Sequence, residues 1–265
     1  MRAMLRKMSV LVSVNHALML AYRAEIYLWV LAHILPFIMM GLWVQASAAG
    51  GFAMDPLGYK RYFLAVFCVR QFSAVWMIYE FEFNVVEGRL SNYLLRPMHP
   101  LWYYVTAHLG EQMARFPFFL LFLGAFLYLS PDVLASGWEW PMVLLGIVCI
   151  HCAFALRFVL QWCFAMLSFW FERAASIESL SFMPYVFLSG AVVPLGDFPP
   201  LLRSIVEYTP FPSMVSFPAR VLTAQAPQAE IVRGFAIMAA WFVALFLLGT
   251  VLWRRGLRRY AGQGA

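Results

Sequence analysis

Long apolar runs govern what this chain can become. Residues 26–48 and residues 235–253 carry no Lys, Arg, Asp or Glu, and about 20 such residues in a helix cross a hydrocarbon core of about 30 Å. Similar runs, nearly free of charge, occupy residues 62–79, 106–129, 142–170 and 180–194, the last of them short and interrupted by Pro184 and Gly190. Only 12% of the 265 residues are charged and 63% are hydrophobic, whereas a soluble domain has about a quarter of its residues charged. Such a chain cannot cover a water-facing surface, so the soluble classes are excluded and an integral membrane protein is expected.

These runs predict an all-α fold with six transmembrane helices, in three regions: residues 1–25, a 26–253 membrane domain, and a basic tail at 254–265. In the first region Arg2, Arg6, Ser9, Ser13, His16 and Arg23 recur at steps of three and four, with Leu20 the one apolar member of that row and Met4, Leu5, Met8, Leu11, Val12, Leu18, Met19 and Tyr22 opposite. That pattern predicts an amphipathic helix in the interface, apolar face in lipid and basic face toward headgroups. A cleaved leader fits less well, because Asn15 and His16 interrupt its apolar stretch and no small-residue cleavage site precedes Arg23.

The basic residues set the orientation. With both termini cytoplasmic, the inner side holds Arg2, Arg6, Lys7, Arg23, Arg89, Arg96, Arg173, Arg254, Arg255, Arg258 and Arg259. The outer side holds only Lys60, Arg61, Arg203, Arg220 and Arg233, and Arg70, Arg115 and Arg157 lie within spans. That asymmetry follows the positive-inside rule. The net charge of +6 therefore points to anionic lipid rather than to nucleic acid.

Between the second and third runs, residues 80–100 form a charged island with Glu80, Glu82, Glu87, Arg89, Arg96 and His99. Gly88 is placed to break the helix leaving the second span, and Leu90, Tyr93, Leu94 and Leu95 make a short apolar face. Pro97 and Pro100 close that helix before the third span. A short helix lying along the membrane surface suits docking by a soluble protein; a plain connecting loop is the alternative.

Chemistry-bearing motifs are few. The sequence contains no Walker motif, His-Glu zinc pattern or serine elbow, so ATP-driven work would need a separate ATPase. Cys149, His151 and Cys152 have poor spacing for a metal, since His151 leaves the face the cysteines share. Cys68 and Cys163 also lie in apolar runs, which suits small core residues. His108, Glu111, Gln112 and Arg115 line one face of the third run, and Glu111 precedes Arg115 by four, the favourable order for a helical pair. Arg157 and Gln161 repeat that spacing in the fourth run. An uncompensated mid-membrane Arg costs about 2.5–3.5 kcal/mol on insertion scales. These residues therefore form either a polar wall on a translocation path or interhelical glue.

Two segments together resemble the permeases of ATP-binding-cassette exporters of the ABC-two class. One carries Glu87, Gly88, Leu90, Leu94, Leu95 and Pro97 after the second span; the other carries Ser189, Gly190, Pro194, Phe198, Pro199, Pro210 and Phe211 between the fifth and sixth. The form EGRLSNYLLRPMHPLWYY is similar to a bacterial branch that pairs one ATPase with two unlike permeases. The resemblance implies that residues 87–97, including Arg89, Tyr93 and Arg96, form a coupling helix seated on an ABC ATPase. It implies that the proline-rich segment forms short re-entrant helices closing the outer end. It also implies a second permease subunit, unlike or identical, a bacterial inner membrane, and no cofactor on this chain, with ATP and Mg held by the ATPase. Two other readings stay open: a multi-span enzyme using His108, Glu111 and Arg115 on a lipid, and a non-transporting membrane scaffold.

Overall fold

The computed structural model describes residues 2–21 and 34–260, with side chains from residue 5 onward. The first part of the expected first span (26–33), the Arg2, Met4, Tyr22 and Arg23 side chains and the last tail residues lie outside the described residues. Every regular element among the described residues is helical. In chain order these are α1 (Arg2–Ala21), α2 (Leu35–Ser47), α3 (Pro56–Ser73), α4 (Met77–Val86), α5 (Leu90–Leu94), α6 (Leu101–Leu129) and α7 (Pro131–Ala135). They continue with α8 (Trp140–Met166, extended by a 3-10 turn to Phe169), α9 (Ala174–Leu188), α10 (Pro200–Val206), α11 (Pro210–Met214), α12 (Ser216–Leu222) and α13 (Gln228–Arg259).

Among the described residues, four helical stretches are long and apolar enough to cross a membrane: Pro56–Val86, Leu101–Leu129, Trp140–Phe169 and Gln228–Arg259. The expected first and fifth spans correspond to shorter apolar helices, Leu35–Ser47 and Ala174–Leu188. Pro36 stands in the first turn of the described part of α2, where a missing N–H costs nothing. The fifth helix starts earlier than expected because the polar-looking AASIES segment is helical, with Ala174 and Glu178 buried. It stops at Gly190, whose φ of +87° continues no helix. Exposed Leu121, Tyr128, Leu144, Val232 and Leu247 all lie on the long helices, as lipid-facing side chains do.

Helix α8 is the axle. It packs against α3, α4, α9, α11, α12 and α13, and Cys149, Ala153, Leu156, Ala165 and Met166 along it are buried. Small residues let its neighbours approach. A Cβ on Gly146 would stand 2.7 Å from the Leu222 backbone, and Cβ atoms on Gly234, Gly249 and Gly256 of α13 would strike the rings of Phe217, Trp162 and Phe169. In lipid, where there is little hydrophobic drive between apolar helices, such close approach supplies the packing.

Helix α1 packs along the first half of α6. Arg6, Lys7, Val10 and Leu11 share a cleft with Pro97, Met98 and Tyr103, and Asn15 and His16 sit over Gly110, where a Cβ would come within 2.9 Å of the His16 nitrogen. Met8, Leu11, Val12, Asn15, His16 and Met19 form the covered stripe. Met8, Leu11, Val12 and Met19 of the expected apolar face thus meet a protein helix while Leu5 and Leu18 stay exposed, and His16 leaves the polar row to join the covered stripe.

Connections sort to two ends. The loop before α3, the α6–α8 connection and residues 189–227 meet at one end, joined by Trp43 Nε1 to Val192 O (2.9 Å), Gln225 Nε2 to Gly58 O (3.2 Å) and Lys60 to Asp132 (2.7 Å). The Lys60 contact holds the Asp132 carboxyl below the usual carboxylate range. The opposite end gathers residues 87–100, the α8–α9 turn and the C-terminal turns of α13, through Ser91 to Tyr260 (3.3 Å) and His99 against Trp253 (4.9 Å). Arg203, Arg220 and Arg233 at the first end are paired with Glu207 and Glu230. No ion pair among the described residues lies at the second end, and Arg89, Arg96, Arg173, Arg254, Arg255, Arg258 and Arg259 there outnumber Glu87 and Glu172, so this end is net positive.

Replacing Gly249 by Val should cost about 1–3 kcal/mol through overpacking against Trp162. Gly124→Ala, at a glycine with open space around it, should not. Thermal loss of the monodisperse chromatographic peak in detergent reads the difference.

Candidate functional site

At the basic end the island is smaller than expected. Residues 77–86 stay helical as α4, with Met77, Ile78 and Phe81 buried, and the Glu82 carboxylate accepts from the Ala175 N–H at the start of α9 (2.6 Å). The turn comes at Gly88, with φ +72°, a conformation that costs a residue with a Cβ. Helix α5 follows for five residues, and Pro100 leads directly into α6.

The four expected apolar residues of α5 divide. Leu90 is fully buried, while Leu94 and Leu95 are 39% and 86% exposed. Tyr93 turns inward and stacks on Tyr104 (6.0 Å between centroids), whose hydroxyl accepts from Asn84 Nδ2 (3.0 Å). Burial and the Glu80 charge hold the Tyr93 phenol above its ordinary range, so it stays neutral. Arg96 lies over the Tyr93 and Tyr103 rings (4.9 and 5.1 Å) and Arg89 over Phe83 (4.7 Å). The inner side of the island is thus riveted to α4, α6 and α13. Its outer side presents Glu87, Arg89, Leu94, Leu95, Arg96 and Pro97 to the surroundings.

The expected polar face of α6 has a different job at two of its positions. The second span breaks between α3 and α4, where Ala74 is extended (φ −67°, ψ 132°). In an unbroken helix the Trp76 N–H would bond the Phe72 carbonyl. Here His108 Nε2 accepts from the Trp76 N–H (3.1 Å) while Gln112 Nε2 donates to the Phe72 carbonyl (2.7 Å). His108 Nδ1 donates to Tyr104 O (2.8 Å), so the ring is neutral with both nitrogens committed. Those bonds leave His108 without a free nitrogen for acid–base work on a lipid. Glu111 and Arg115 form the expected i,i+4 pair, 3.7 Å apart, and Arg115 lies over the Trp76 ring at 5.1 Å. Arg115 is 1% exposed, with Nε and Nη1 lacking hydrogen bonds. Arg157 does not join this face: Phe158 turns toward His108, whereas Arg157 stacks over Tyr185 of α9 at 4.0 Å.

At the other end the proline-rich segment forms a buried plug. Tyr62 Oη donates to Gly190 O (2.8 Å), and the Ser216 N–H donates to Ser189 O (2.9 Å). A Cβ on Gly190 would strike Ser216 and Tyr62 at 2.6 Å. Pro194 precedes a 3-10 turn whose Asp197 accepts from Tyr59 Oη (2.6 Å) and the Ala53 N–H (2.9 Å). Phe198 and Pro199 lead into α10, and Pro210 opens α11 with Phe211 beside it. Helices α11 and α12 are then buried, from Pro212 through Leu222, between α8, α3 and α13.

Helices able to cross a membrane, a short helix exposed at a basic end and a buried proline-rich plug at the other are the main features of this arrangement. The family model described as "ABC-2 family transporter protein" matches residues 55–264. The chain belongs to the ABC-2 transporter family. It is accordingly a multi-pass membrane transport component, not itself catalytic, of a family that works with an ATPase subunit. No curated protein and no solved structure matches it significantly.

Sequence reasoning missed the break in the second span of this ABC-2 protein, because residues 72–76 contain neither Gly nor Pro. The only signal was on the partner helix: two polar side chains one turn apart, His108 and Gln112, in an otherwise apolar run. His108→Phe or Gln112→Leu should each strand a buried backbone group and destabilise the fold by about 1–3 kcal/mol. Thermal denaturation of the purified variants checks this; reduced transport at unchanged stability would instead make them pathway residues.

Proposed function

We propose that this chain is a permease subunit of an ATP-driven exporter, forming part of the pathway while a separate ABC ATPase supplies the power. The carrying observation is the construction of α5: an inner side bound into three helices and an outer side offering Leu94 and Leu95 at a basic end. A lever needs a rigid attachment to the moving body and an exposed contact for the motor, and α5 has both. Residues 87–97 are its coupling segment. ATP and Mg belong to the ATPase, and this chain supplies no cofactor.

The unpaired arginines of the basic end support a cytoplasmic position for it, with both termini on that side of a bacterial inner membrane. The paired charges of the plugged end suit the outer face. Ser189, Gly190, Pro194, Phe198, Pro199, Pro210 and Phe211 then build short re-entrant helices that close the pathway outward. Helix α1 keeps its basic row, Arg6 included, toward headgroups. A second permease subunit, unlike or identical to this one, completes the pathway.

Leu94→Asp with Leu95→Asp should abolish copurification of the ATPase and its stimulation, whereas Leu134→Asp at the other end should leave both intact. Undiminished association of the Leu94/Leu95 variant would overturn the coupling assignment. Orientation is checked separately: in right-side-out vesicles a thiol reagent that cannot cross membranes should spare Asn92→Cys and label Ala53→Cys.

A further inference from the structure

Helices α1 and α6 leave the basic end side by side. Arg6 and Lys7 of α1 share a cleft with Pro97, at the end of the coupling segment, with Met98 and with Tyr103 of α6. Further along the same two helices, Asn15 and His16 sit over Gly110, so both run in one direction.

The cleft has a volume of about 630 Å³, within the range of about 300–1,000 Å³ usual for ligand sites. Its other walls are Val10 and Leu11, and no acid lines it. Among the described residues no ion pair engages Arg6 or Lys7. Arg96 lies over the Tyr103 ring at 5.1 Å and adds a cation behind that wall. Beyond the cleft Val14 and Leu18 follow Val10 at steps of four, and all three are exposed. Residues so spaced share a helix face, and at about 1.5 Å per residue Leu18 stands about 16 Å past Lys7. The row runs beside α6, which is long and apolar enough to cross a membrane, and so leads from the headgroup level into the hydrocarbon. Cations at one end and an aliphatic row leading away from them match an anionic head with acyl chains. An acidic peptide would use the cations and leave the row uncovered.

We propose that this cleft binds one anionic phospholipid of the adjoining leaflet, its phosphate held by Arg6 and Lys7 and an acyl chain laid along Val10, Val14 and Leu18. The lipid touches both α1 and the end of the coupling segment, and so ties the two together. Only the role given to residues 87–97 rests on the permease reading above; the lipid site itself needs no ATPase.

The probe is radiolabelled phosphatidylglycerol, retained by the purified full chain during chromatography in a neutral detergent with excess phosphatidylcholine. Wild type should retain it and release it to unlabelled phosphatidylglycerol, not to phosphatidylcholine or inorganic phosphate. Arg6→Gln with Lys7→Gln should weaken retention about tenfold or more, the scale of two cations acting on an anionic headgroup. Val10→Trp, which narrows the cleft with every charge in place, should weaken it too. Arg255→Gln with Arg258→Gln, which removes two exposed charges from the same end outside the cleft, should not. An equal loss in that control overturns the site, since general surface charge then holds the lipid. Undiminished retention by the Arg6/Lys7 variant or by Val10→Trp overturns it as well, as does equal displacement by phosphatidylcholine or by inorganic phosphate. Release of the lipid when the ATPase is added overturns the lipid assignment, since a protein then occupies the cleft. Copurification of the ATPase with the wild-type chain reads the permease function independently of these results.

Discussion

A backbone break inside a membrane frees an N–H and a carbonyl where no water can receive them. That constraint organises the middle of this protein. The second span divides at residues 74–76, and the freed Trp76 N–H and Phe72 carbonyl go to His108 and Gln112 of the next long helix. The two bonds act as a splint, satisfying the donor and the acceptor that the unbroken helix would have bonded to each other, so the break costs little as long as α6 stays alongside. The consequence is a fixed attachment between two spans at the point where one of them changes direction. Below the break, α4 carries the chain to Gly88 and the exposed helix α5, so the splint also sets where the coupling segment stands.

The remaining packing converges on α8. Its small and medium-sized side chains admit α3, α4, α9, α11, α12 and α13 around it, and glycines on α13 give large rings somewhere to lie. The two ends of this bundle differ in electrostatics more than in shape. At the plugged end every arginine of the proline-rich segment and its neighbouring helix has a carboxylate; at the basic end Arg89 and Arg96 rest on aromatic rings. Rings hold a guanidinium in place without cancelling its charge, so one end is electrically closed and the other remains available to acidic partners and anionic headgroups.

Much of this could be read from residue order. Gly88, Pro97 and Pro100 punctuate the chain where the structure turns, and Ser189–Gly190 ends the fifth apolar helix short of the expected bound at Pro194. The i,i+4 order of Glu111 and Arg115 produced the pair it implied. What local pattern could not assign was direction. Leu90 and Tyr93 face the bundle while Leu94 and Leu95 face away, although all four have the same apolar character. Likewise the polar row of α6 looked uniform, yet His108 and Gln112 repair a backbone and Glu111 and Arg115 serve each other, while Arg157 of α8, expected beside them, turns to α9. Part of the resemblance to ABC-two permeases had already been carried by the same punctuating residues, because turns demand particular residue types wherever they occur.

Sequence alone determined that this chain lives in a membrane, builds its regular elements as helices, and carries a short helix in a charged segment between its second and third long apolar runs. Those conclusions follow from hydropathy, charge asymmetry and the backbone preferences of glycine and proline, all of which act locally. Only the tertiary structure decided which polar side chains serve the fold and which are free. A hydrogen bond from Gln112 to Phe72, or the seat of Arg157 on the Tyr185 ring, depends on which helices lie side by side. That arrangement is set by packing across distances in sequence that no local pattern encodes.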